Sequence, residues 1–117
     1  MINANDVVYE HKIFYDDTKE LVYYFTAPKR YLKEILGKDY PEAIFTTICV
    51  DTVGLFPDTE NTFISISPAK EEEGCFVDYD WHDVDLSKDD LQLLVNKVIS
   101  HECLNGRNSY ERLFYEI

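Results

Sequence analysis

Residues 62–82 read TFISISPAKEEEGCFVDYDWH. Residues 62–67 alternate and are rich in β-branched and aromatic side chains, the pattern of a strand, and Pro68 marks its end. Glu71 to Gly74 supplies a charged turn, and residues 75–82 resume as a strand, so 62–82 reads as a β-hairpin. A hairpin here, and another further upstream, commit the chain to a mainly antiparallel sheet.

Residues 43–53, AIFTTICVDTV, precede this hairpin and read as a central strand, with Gly54 to Asn61 as the intervening loop. Further back, residues 6–16 alternate. Val7, Tyr9, His11, Ile13 and Tyr15 fall on one face, and Val8, Glu10, Lys12, Phe14 and Asp16 on the other. Turn chemistry at Asp16–Lys19 joins them to residues 20–26, which completes the first hairpin. His11, among aromatic neighbours, reads as a core or hairpin-face residue.

Two helices interrupt the strands. Pro28 opens the first at a position where its missing N–H is harmless. Tyr31, Leu32, Ile35 and Leu36 are its apolar stripe, and Gly37 is its C-terminal cap. Lys29, Arg30, Lys33 and Lys38 make it the basic surface of the chain. The second helix starts after Ser87 as N-cap, with Asp90 three residues on and Leu86 and Leu91 spaced as a hydrophobic staple. Leu91, Leu94, Val95, Val98 and Ile99 form its stripe. Asp89 and Asp90 suit the positive end of its dipole, and Asn105-Gly106 ends it. Ser109 to Ile117 fits either a helix or an edge strand, with helix preferred. The expected architecture is a single α+β domain, residues 1–117. Its mainly antiparallel sheet has about five strands, in the order β-β-α-β-β-β-α-α/β, with helices packed on one face.

At 117 residues the chain fits one domain with a sizeable core. Its formal net charge is −12, and the deficit sits in the second part: residues 1–42 carry −2 and residues 43–117 carry −10. From Glu71 to Asp90, nine carboxylates face a single lysine, Lys88. They are Glu71, Glu72, Glu73, Asp78, Asp80, Asp83, Asp85, Asp89 and Asp90. Val77, Tyr79 and Trp81 are threaded through this run at strand spacing, so it belongs to a folded element and not to a disordered tail. Fixed carboxylates meet positive charge and refuse negative charge. Direct nucleic-acid binding is disfavoured, since phosphates need cations, and so is an anionic membrane surface.

Cys49, Cys75 and Cys103 are odd in number and far apart, with no CxxC. Cys49 and Cys103 lie in apolar stretches and read as buried free thiols. With no signal-peptide pattern and no membrane-length apolar run, the setting expected is cytoplasmic. No G-x-S-x-G, phosphate-binding glycine loop or H-E-x-x-H occurs. His101 and Cys103 are two apart on a helix and do not face each other; His101 fits a charge at the helix C-terminus. Among the many tyrosines, Tyr24 and Tyr40 are the surface candidates.

These observations leave three readings. The first is a small acidic protein-binding inhibitor, of the immunity-protein or phage anti-defence (anti-CRISPR-like) type. It would use Glu71, Glu72, Glu73, Asp78, Asp80, Asp83 and Asp85 to occupy the basic, nucleic-acid-binding groove of a target, with Trp81 as apolar anchor. It is not an enzyme and carries no cofactor. The second is a metal-dependent binder or enzyme built on Asp78, Asp80 and His82, which alternation places on one strand face. Same-face neighbours on a strand lie roughly 6.5–7 Å apart, which strains that reading. The third is a homo-oligomeric module using an open sheet face. A solvated edge that resists strand pairing accounts for the carboxylates as well as any function does.

Overall fold

Alternating apolar residues on successive hairpins build a sheet in the computed structural model, which describes residues 2–53 and 62–103. A single turn of 3-10 helix, Ala4–Asp6, leads into β1 (Val8–Tyr15) and β2 (Glu20–Pro28). Helix α1 (Arg30–Leu36) follows, then β3 (Phe45–Val53), β4 (Thr62–Glu72), β5 (Cys75–Asp78), β6 (His82–Val84) and α2 (Lys88–Cys103). The strands form one curled, wholly antiparallel sheet in the order β1-β2-β3-β4-β5, with β6 paired to β4 beside β5. The α+β domain expected from the sequence is therefore present, with six strands in place of about five. No described helix is long and apolar enough to cross a membrane.

The core follows from alternation in the middle of the sheet. Leu21, Tyr23, Phe25 and Ala27 of β2, Ile48 and Val50 of β3, and Ile64 and Ile66 of β4 are buried in one cluster. Tyr31 of α1 and Leu94 and Val98 of α2 join the same cluster, as do Ile2 and Val7. Leu32, Tyr40 and Ala43 form a second, smaller cluster with Leu36 and Tyr79 packed against it. Tyr40 is thus a core residue and not a surface one; the loop leaving α1 folds it inward.

Both helix termini obey their caps. Ser87 Oγ accepts the Asp90 amide at 3.2 Å. The Asp90 carboxylate does not close the reciprocal box; it accepts the Ile2 amide at 3.1 Å. Gly37 takes φ 70° and donates its N–H to the Lys33 carbonyl at 2.9 Å. Pro28, by contrast, ends β2 and does not open α1, and its carbonyl accepts Thr46 Oγ1 at 2.8 Å. Asn3 donates its amide to the Tyr31 hydroxyl, which donates in turn to Asp6, so the first residues are tied to both helices.

Three local departures lie at or beside the two edges of the sheet. In β1, Tyr9 pairs with Phe25 and His11 with Tyr24, which leaves Glu10 as an extra residue. This bulge reverses the alternation: Tyr9 stays on the core side, while His11, Ile13 and Tyr15 turn outward, against the single face expected. His11 stacks on Tyr24 with ring centres 4.8 Å apart. Pro68 does not end β4, which runs on to Glu72. Its carbonyl accepts the Tyr79 amide, and the neighbouring edge strand breaks immediately after. The single strand expected over 75–82 is therefore two, β5 and β6. The loop Gly54–Asn61, the Asn105-Gly106 stop and the segment Ser109–Ile117 lie outside the described residues, as does the Cys103 side chain.

Ile48 is completely buried in the central strand. Ile48→Ala should therefore cost about 2–4 kcal/mol in urea unfolding; a loss below about 1 kcal/mol would contradict its place in the core.

Candidate functional site

The turn between β4 and β5 is set by backbone geometry. Glu72 pairs with Cys75, leaving only Glu73 and Gly74 between the strands. Both have positive φ, 54° and 83°, as a two-residue hairpin turn compatible with strand twist requires. The tight turn carries Glu71, Glu72 and Glu73 outward, and all three are exposed. Lys70, partly buried, ion-pairs with Glu42 at 3.5 Å and Glu72 at 3.6 Å and lies over the Tyr79 ring. Glu71, Glu73, Asp83 and Asp85 form no ion pair or side-chain hydrogen bond among the described residues.

Beyond Asp78 the edge changes phase. Asp78 pairs with Ala69 and His82 with Ile66. Ala69 and Ile66 are an odd number of residues apart, so they point to opposite faces of β4, and Asp78 and His82 do likewise. The common face expected for Asp78, Asp80 and His82 does not form. Asp78 accepts a hydrogen bond from Thr47 on the outer face. Asp80 and His82 remain together, with His82 Nε2 at 2.9 Å from Asp80 Oδ2. Tyr40 donates its hydroxyl to the same carboxylate oxygen at 2.8 Å and lies 3.3 Å from His82 Nε2. The bonds from His82 and then Tyr40 hold the Asp80 carboxyl below its usual range. Burial and the Asp80 carboxylate push the Tyr40 phenol up to about 12. This cluster joins the α1–β3 loop to the break between β5 and β6. Among the described residues no three His, Cys, Asp or Glu side chains converge on a common metal position.

Trp81 sits in the break and is 43% exposed, so it is available at the surface beside the carboxylates. Asp83 and Asp85 are exposed and rim a depression of about 460 Å³ whose apolar wall includes Phe63, Val84, Leu86 and Leu91. The residues expected to meet a partner therefore all lie along one edge of the sheet, but on two faces of it.

A separate acidic pair was not visible in the linear pattern. Asp51 of β3 lies beside Glu20, at the start of β2. Burial, then repulsion from Glu20 and a hydrogen bond with it, raise the Asp51 carboxyl to about 6. Among the described residues Asp51 Oδ1 is buried without a hydrogen-bond partner. Near it, Tyr24 shares a 3.2 Å hydroxyl contact with Tyr15, and burial raises its phenol above the usual range. Burial likewise pushes the Cys49 thiol up to about 11, which makes it a packing residue and not a nucleophile. The expectation of a buried free thiol at Cys49 holds, and Cys75 is free and exposed. His101 rests edge-on against Tyr9 with ring centres 4.6 Å apart. The only advance signal for the Glu20–Asp51 pair was a carboxylate in the middle of a β-branched strand.

Comparison of the chain with protein-family models, with curated proteins and with solved structures found no match in any of the three.

The Asp51 carboxyl is raised in the folded state from 3.8 to about 6. Its contribution to stability is complete below pH 3.8 and is lost as pH rises through about 6. Asp51→Asn should remove that loss. Relative to the parent, its melting temperature should rise between pH 4.5 and pH 7, by an amount worth about 1 kcal/mol after solvent screening. A constant difference across that range would show that Asp51 does not titrate there. Asp80 runs the other way: its stabilisation is present above pH 3.8 and fades as acid protonates it.

Addition of Mg, Mn or Zn should leave the melting temperature where EDTA leaves it, since a native-state ligand would raise it.

Proposed function

We propose that this chain is a binding protein that engages a basic protein surface with the carboxylate-rich edge formed by β5, β6 and their flanking turns. The observation that supports this most directly is the number of unpaired carboxylates held on rigid backbone. Glu73 lies in the two-residue turn and Glu71 on the strand leading into it, and Asp83 and Asp85 lie on and just after β6. None has a side-chain partner among the described residues, so their potential is not cancelled internally. Exposed charges act over about 8–10 Å at physiological salt, so a row of them adds up only for a partner that comes close. The matching surface is one rich in Lys and Arg, such as the groove of a nucleic-acid-binding enzyme. Occupying that groove would make the chain an inhibitor, of the kind met in immunity and anti-defence proteins. Trp81, exposed among the carboxylates, supplies apolar contact at the same edge.

The helices fit this reading by staying out of the way. Tyr31, Leu94 and Val98 pack into the cluster built by Tyr23, Phe25, Ile48 and Ile66. We infer that both helices cover that one face, α2 reaching the acidic edge only where Leu91 borders the depression beside Asp83 and Asp85. A reducing, cytoplasmic setting agrees with the free thiols of Cys49 and Cys75.

Asp78 and Asp80 are poor choices for a test, because Thr47, Tyr40 and His82 use them internally. Glu71→Lys, Glu73→Lys, Asp83→Lys and Asp85→Lys combined should keep the melting temperature within a few degrees. The same variant should abolish capture of partners that the parent retains from lysate at low salt and releases at high salt. Duplex DNA should compete for the captured protein. Undiminished capture by the reversed variant would overturn the role given to this edge.

A further inference from the structure

The curl of the sheet brings together two strands that a flat sheet would hold far apart. β1 and β5 are at opposite ends of a five-strand path, about 19 Å apart if flat. Yet Val8 and His11 of β1 and Phe76 of β5 line one open trough of about 610 Å³, floored by Thr26 and Phe45. The trough lies on the sheet face opposite the main core. Phe76 stands edge-on to Phe45, ring centres 5.2 Å apart, and is nevertheless 62% exposed. Val8 is 53% exposed. This exposed apolar side chain of β5 is therefore not idle surface; it is one wall of a concave apolar surface.

The carboxylates that line the trough are Asp6 and Glu10. Both lie on the β1 side, and among the described residues no Lys or Arg lines it, although Arg30 pairs with Asp6 at the rim. Glu71 is the cross-strand partner of Phe76 and shares its face. Asp6 is occupied by Arg30 and Tyr31, and Glu10 accepts Thr26 Oγ1 at 2.8 Å. Glu71 has no such partner among the described residues. An apolar floor with an acidic rim complements an apolar side chain flanked by Lys or Arg. The trough runs between strand ends and is not enclosed, so it suits a chain segment lying across it better than a small molecule.

We propose that this trough is the apolar anchor site of the interface: it takes an aromatic or aliphatic side chain from a Lys/Arg-rich segment of the partner protein, with Phe76 and Val8 as its walls. This rests on the acidic-edge reading above and moves the principal anchor from Trp81 to Phe76.

The test uses two labelled peptides of equal charge, KRWLRK and KRSSRK, titrated by fluorescence anisotropy at low salt. The parent protein should bind KRWLRK about tenfold more tightly, the worth of one well-buried side chain. Phe76→Ala should bring the two peptides level by weakening KRWLRK alone, and Val8→Ser should narrow the gap in the same way. Glu71→Lys with Glu73→Lys should weaken both peptides together. Equal binding of the two peptides by the parent, or a preference that survives both Phe76→Ala and Val8→Ser, would overturn the anchor site while leaving the acidic edge in place. No binding of either peptide would overturn both. A dimeric mass in light scattering that Phe76→Ala converts to a monomer would assign the trough to a second copy of this chain and overturn the partner assignment.

Discussion

The central strand β3 is buried on both faces, and the rest of the structure answers to that. Thr46, Thr47, Ile48, Cys49 and Val50 are all buried in succession. Helical side chains join the cluster around Ile48 and Val50, but the other face of β3 carries Thr47 and Cys49. A strand buried on both sides normally needs a covering layer on each. Here the outer face is closed by curl and by polar tethers. Asp78 reaches across to Thr47, and Ser67 Oγ donates to the Pro68 carbonyl and accepts the Asp80 amide. The buried hydroxyls of Thr46, Thr47, Thr52 and Ser67 each have a hydrogen-bond partner, as buried polar groups generally do. Some of the acidic segment is therefore structural. Asp78 helps to close the outer face, the Asp80 carboxylate is held by Tyr40 and His82, and Glu71, Glu73, Asp83 and Asp85 are left to face outward.

That division separates two roles that a charge map merges. A carboxylate that accepts a hydroxyl or imidazole is already spoken for, and its charge is partly spent inside the molecule. One that stands on a tight turn without a partner keeps its full potential for a second molecule. The same logic applies to the apolar side chains of the edge. Tyr79 is drawn under Lys70 and against Tyr40, whereas Trp81 and Phe76 stay at the surface.

Much of the fold was legible because single residues announce it. Ser87 marks the start of α2 and Gly37 the end of α1, each through a specific backbone bond. Residues 43–53 declare a central strand by composition. The failures also have physical causes. A bulge adds one residue without any compositional mark, so neither Glu10 nor the break at Tyr79–Trp81 could be seen. Each reverses the facing of every side chain that follows, which is why His11 left the face assigned to it and His82 parted from Asp78. Pro68 was read by its usual habit, but in β4 the missing donor falls opposite the break and the strand continues. Tyr40, just before Pro41, looked like a loop-surface residue; only the folded chain shows that Asp80 and His82, forty residues on, meet its hydroxyl.

The sheet order also sets how such a chain can assemble. Every strand from β1 to β5 lies beside its neighbour in sequence. Each pairing then needs only a local loop to close, and closure entropy grows slowly with loop length. Even β2 and β3, separated by α1, are joined by a modest excursion. The long-distance encounter is of another kind: Ile2 donates its amide to Asp90, 88 residues away. A meander can form from any hairpin outward, but the bond between Ile2 and the first turn of α2 can form only when the sheet and α2 have come together. The first residues of the chain act as its last clasp.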